Sequence, residues 1–137
     1  MADPIHLLGI YLHLARAAEL GRRPHARDRL LIVAAALAAD SMLPRVAALC
    51  RERVLEHNPN HLLRRWESLD EACEDSDFRH FLTQLQRRYP RERAERMLQE
   101  SGLEMGNERE AYFTDEEYAA GLLGCSLDHL DRFGPAP

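Results

Sequence analysis

The string His57-Asn58-Pro59-Asn60-His61 is the part of the sequence best equipped for chemistry. Cys50 stands seven residues before His57, on the same face of a helix that runs through both. Thiolate and imidazole are ligands that zinc accepts, so Cys50, His57 and His61 could converge on a metal. A closed site needs a fourth ligand, and a catalytic one needs a solvated cleft and a base. The plainer reading makes Cys50 a small core residue and sets His57 against the carbonyls of a helix C-terminus. Asn58, Pro59 and Asn60 are then turn and capping chemistry. The other imidazoles are more scattered. Asp77 and His80, three apart, are expected to pair on a helix surface, and His129 lies among acids. A bundle metal site would repeat Glu-x-x-His on two helices, and the sequence holds no such pair.

Covalent chemistry has little to work with. There is no Gly-x-Ser-x-Gly elbow and no cysteine in a recognisable active-site string. All 18 basic residues are arginine, so neither a phosphate-loop lysine nor a Schiff base is available. The absence of lysine reflects genome base composition more simply than mechanism. No catalytic group and no cofactor is expected.

The basic centre is Arg87-Arg88-Tyr89-Pro90-Arg91-Glu92-Arg93-Ala94-Glu95-Arg96, and residues 79–96 hold six arginines against two glutamates. Arginine beside an exposed tyrosine can grip phosphate and stack on bases. The same string suits a solvated helix face, with Glu92 and Arg96 at i,i+4 spacing. A third reading is preferred, in which Arg87, Arg88, Tyr89 and Arg91 dock onto an acidic protein surface. That surface belongs either to another protein or to the acidic end of this chain, met internally or across a homodimer. Charge segregation favours it: residues 1–65 carry ten arginines against six acids, and residues 66–137 carry eight against 17. The last 39 residues are at net −7, which opposes general affinity for nucleic acid there.

The elements that must position these groups read as short helices with clear punctuation. Asp3-Pro4 starts a helix that Gly21 stops. Pro24 opens a second, apolar on most sides from Leu30 to Ala39 and therefore the most enclosed. Pro44 opens a third, closing at His57-Asn58-Pro59. Asn60 is expected to cap a short helix through Trp66, and Ser68 with Glu71 has capping-box spacing before a helix at 69–73. Helices at 76–88 and 90–101 follow, the second ended by Gly102. Residues 103–113 read as a connection. No run alternates with the period of a strand. Ala35, Ala47 and Pro59 match offsets of one tetratricopeptide-like hairpin, but no second copy recurs, which leaves an ordinary helical hairpin.

Thr114 to Leu130 carries a more specific pattern. Thr114 and Glu117 form a capping box, Ala120 precedes a turn glycine, Gly124, by four residues, and Ser126 can cap a second helix. The segment 114–133 resembles a helix-turn-helix unit. The resemblance implies two closely packed helices and, in the DNA-binding members, a second helix that reads bases. Here Ser126, His129 and Arg132 would be the readers, in a helix whose exposed residues are mostly acidic.

The expectation is an all-α single domain over residues 1–137, an irregular orthogonal helical bundle of about seven or eight short helices. Its parts are a main bundle (1–102), a connection (103–113) and the helix-turn-helix-like unit (114–133). Leu31, Ala34, Leu37, Leu49, Val54, Phe78, Phe81, Leu82 and Leu85 should share its core. Three widely spaced cysteines and no signal segment or membrane span point to a reducing cytoplasm. Function is expected to be a non-catalytic protein-interaction or regulatory module. The alternatives are a nucleic-acid-associated regulator using the C-terminal unit with the Arg87–Arg96 patch, and a metal-dependent site at Cys50, His57 and His61.

Overall fold

Proline begins each of the first three helices. A computed structural model describes residues 3–137 and places α1 at Pro4–Leu20, α2 at Pro24–Asp40 and α3 at Pro44–His57, each with proline in its first turn. A proline there loses no hydrogen bond, because the first N–H groups of a helix have no internal partner. Asp3 adds a cap, its carboxylate accepting from the Ile5 N–H at 3.0 Å. The chain continues through a 3-10 turn (Leu62–Arg65), α4 (Leu69–Glu74), α5 (Ser76–Arg88) and α6 (Arg91–Glu100). A second 3-10 turn (Glu108–Ala111) precedes α7 (Asp115–Leu122), α8 (Leu127–Leu130) and a last 3-10 turn (Asp131–Phe133). Among the described residues there are eight α-helices and no strand, so the all-α expectation is met.

Four helices end in the same way. In each, a left-handed residue lets the next N–H reach back to the carbonyl five residues earlier, which satisfies an otherwise orphaned acceptor. The closures are Arg23 to Ala18 (2.8 Å), Leu43 to Ala38 (2.9 Å), Leu103 to Leu98 (3.3 Å) and Cys125 to Ala120 (2.8 Å). Glycine takes the left-handed position in two of them, Gly102 and Gly124, as the sequence suggests. In the other two it falls on Arg22 (φ 58°) and Met42 (φ 62°). Gly21, expected as the stop of α1, has an ordinary φ of −81°, and the turn comes one residue later.

α2 is the enclosed helix. It is buried without interruption from Leu30 to Ala36 and packs against α1, α3, α4 and α5. Leu31, Ala34, Leu49, Val54, Phe78 and Leu85 are buried as expected, whereas Leu37, Phe81 and Leu82 lie half-buried at the core's margin. The α5 seam turns outward there, where Phe81 meets the His61 ring edge-on at 6.0 Å. Asn60 does not cap the following 3-10 turn. His61 does, its Nδ1 accepting from the Leu63 N–H at 3.1 Å. Among the described residues no helix is long and apolar enough to cross a membrane.

Candidate functional site

The helix-turn-helix-like segment folds as two short helices separated at Gly124, whose φ of 72° and open surroundings make it a turn residue. Its second helix has four residues, a single turn. Ser126 commits its hydroxyl to the His129 N–H at 3.4 Å. Arg132 points back to α3, pairing with Glu52 at 2.6 Å while its guanidinium lies 4.5 Å above the Phe133 ring. Of the three residues that would read bases, one is a cap and one is tied to the bundle.

What holds this unit down is Arg45, a residue the sequence reading did not single out. Only 3% exposed, it sends Nε to Glu116 Oε2 at 2.9 Å and a second nitrogen to Glu116 Oε1 at 2.5 Å. The remaining nitrogen reaches Asp131 at 2.9 Å and the Gly134 carbonyl at 3.2 Å. The Glu116 hydrogen bond, reinforced by Asp131, raises the arginine pKa further against the opposing cost of burial. A signal for it exists: Arg45 lies four residues before buried Leu49, at an inward position of the α3 stripe.

The proposed metal ligands do not assemble. Cys50 is wholly buried in the core, where desolvation pushes its thiol up to about 12. His61 spends Nδ1 on its cap, and burial lowers its pKa despite nearby Asp28. His57 instead donates Nδ1–H to buried Asp28 on α2, beside Arg27 and edge-on to the His25 ring at 5.4 Å. Among the described residues no group of three or more His, Cys, Asp or Glu side chains is placed to hold a metal. The expected Asp77–His80 pair is replaced too: Asp77 meets Arg65 at 3.2 Å and His80 meets Gln84 at 3.2 Å.

The arginine string is divided by the fold. Tyr89 is buried at 4% exposure, so it offers no free face for stacking bases. Its hydroxyl accepts from Arg29 Nε at 3.2 Å, its carbonyl accepts from the Tyr11 hydroxyl, and Arg88 and Arg93 lie over its ring at 5.7 and 5.5 Å. Arg91 turns aside to Glu95 at 2.7 Å, and Arg87 is exposed. Arg88 therefore joins residues distant in sequence around a cleft of about 290 Å³. Arg23 and Arg29 from the start of α2, with Arg88 and Arg93, form its basic wall, and Leu14, Ala18, Leu30 and Met97 form an apolar floor. Among the described residues no acidic side chain lines the cleft, and none of these four arginines pairs with a carboxylate. The α2 N-terminus, beginning at Arg23, has no side-chain cap either.

Four guanidinium groups around one concavity repel one another, and an anion relieves that repulsion while accepting paired N–H bonds from the guanidinium forks. The floor can accept hydrocarbon beside the anionic group. No protein-family model matches the chain, and no curated protein or solved structure matches it.

Proposed function

We propose that the chain is a non-catalytic interaction module of the cytoplasm whose arginine cleft takes an acidic segment of a protein. The observation that carries this reading is the convergence of Arg23, Arg29, Arg88 and Arg93 on a single cleft with no acid in its lining among the described residues. Carboxylates answer the guanidinium groups, and an apolar residue between them answers the Leu14–Leu30 floor. Such a contact gains its encounter rate from charge and weakens as salt screens it.

A fluorescently labelled peptide of alternating glutamate and leucine tests the proposal by anisotropy. It should bind at low ionic strength, release as salt rises, and lose most of its affinity when Arg29 and Arg88 are both changed to serine. A peptide that ignores those two changes sinks the assignment of the cleft. A labelled DNA duplex serves as the opposing probe: binding that depends on Arg132 and falls steeply with salt restores the nucleic-acid reading in its place.

A further inference from the structure

We infer that the acidic segment entering the arginine cleft is carried by a second copy of this chain, with Phe113 as its anchor. The inference rests on the reading of the cleft given above. Phe113 is 95% exposed, the most exposed of the large apolar side chains, on the short link between the second 3-10 turn and α7. A ring this exposed has nearly its whole apolar surface free to cover an apolar floor. Its position is held from both sides. Tyr112 packs its ring against Tyr118 at 5.6 Å, and Thr114 caps α7 by accepting from the Glu117 N–H at 3.0 Å. The Phe113 N–H itself donates to the Glu117 carboxylate at 3.4 Å. The backbone that carries the ring is thus tied to α7, which leaves less of it to order on binding.

Charge completes the match. Glu110 and Glu117, three residues before and four after the anchor, form no ion pair among the described residues, whereas Asp115 and Glu116 are answered by Arg109 and Arg45. The cleft offers the opposite set, an apolar floor ringed by unpaired guanidinium groups that favour the face of an aromatic ring as well as carboxylates. Within one chain the two features do not meet, because Phe113 stands free in solvent. Each copy carries both halves, so a pair closing on a two-fold axis makes the contact twice.

Sedimentation velocity from micromolar to millimolar protein, at low and high salt, tests this. The wild-type chain should dimerise at low salt and dissociate as salt rises. Phe113→Ser and Arg88→Glu should each weaken the dimer at least tenfold while leaving the helical circular dichroism unchanged, since both side chains are exposed. Mixing the two variants should restore association, because each retains the half that the other lacks. A dimer that persists in both variants uses another face, and that result overturns the inference. A chain that stays monomeric throughout while the acidic peptide still binds overturns the second copy alone. If neither peptide nor second copy binds, the cleft reading falls with it.

Discussion

Arg45 on α3 and Arg29 on α2 belong to adjacent helices of one hairpin, yet their surroundings differ completely. Arg45 is sealed from water, and its three nitrogens reach two carboxylates and a carbonyl supplied by the end of the chain. Arg29 is half-buried at the edge of a cleft and donates to a phenol at 3.2 Å, with other arginines for neighbours. A guanidinium group can enter a protein interior only where compensating acceptors enter with it. Where the chain brings acids, arginine becomes structure. Where it brings none, the guanidinium groups stay at a solvated margin, ready for acids from elsewhere. Arginine thus closes its charge in the half that the C-terminal helices cover and leaves it open at the cleft.

The contrast is tested most severely at Arg45. Arg45→Ala leaves buried Glu116 without its partner and should cost about 3–5 kcal/mol in urea unfolding. Replacing both partners together, Arg45→Met with Glu116→Leu, should recover most of that, since a well-packed apolar pair substitutes for a buried ion pair. A loss below about 1 kcal/mol in the single variant would place Arg45 among ordinary surface pairs and erase the distinction.

Glycine substitutions probe the same closed half at a smaller scale. Gly124→Val forces a branched side chain into the left-handed region and should cost about 1–3 kcal/mol, with no clash because the space around it is open. Gly121→Ala, which helix propensity alone would favour, meets Tyr112 instead: a methyl group there would lie 2.8 Å from the phenolic oxygen. It should destabilise by about 1 kcal/mol, and by less than Gly124→Val, because the tyrosine can swing aside. Differential scanning calorimetry of the two variants checks that order.

Acid titration gives a smaller effect that leaves both arginine clusters charged. The folded pKa of His61 lies below its ordinary 6.5, first because of burial, so the unfolded chain takes up the proton sooner. Its contribution to stability is complete above pH 6.5 and is lost as pH falls through the lowered folded value. His61→Asn keeps a capping acceptor and removes the titration, so its stability should fall less than wild type over that interval. The smallest expected change belongs to the open cleft. Arg88→Ser, at an exposed side chain, should leave stability within about 0.5 kcal/mol of wild type, even as peptide affinity drops.

The fold was legible because its signals are local. Proline starts, capping side chains and apolar stripes lie within a few residues of what they control, and Asp3, Ser68 and Thr114 all accept the N–H bonds their positions imply. Arg22 and Met42 escaped notice, since a left-handed residue that is not glycine leaves no trace in composition. The functional groups were harder to read because adjacency in the string is not adjacency in space. Arg87, Arg88 and Arg91 look like one patch, but a turn of backbone sends Arg91 to Glu95 and Arg88 toward Arg29, which lies 59 residues earlier in the chain. The three buried charged residues did carry a usable sign. Asp28, Arg45 and Glu116 each precede buried apolar residues by three or four positions, so each stands on an inward stripe where a charge must find a partner.

The clasp at Arg45 also gives the molecule an order in time. Its acidic partners lie 71 and 86 residues farther along the chain, while the hairpins of α1, α2 and α3 close through short local turns. Local contacts form quickly and distant ones wait on loop closure. On a ribosome, the first three helices emerge and can pair while the carboxylates they need are still being made. A nascent chain halted before residue 116 therefore exposes an unanswered guanidinium group beside bare hydrocarbon. Arrival of the final turns is the event that seals it, converting a provisional hairpin stack into a committed structure.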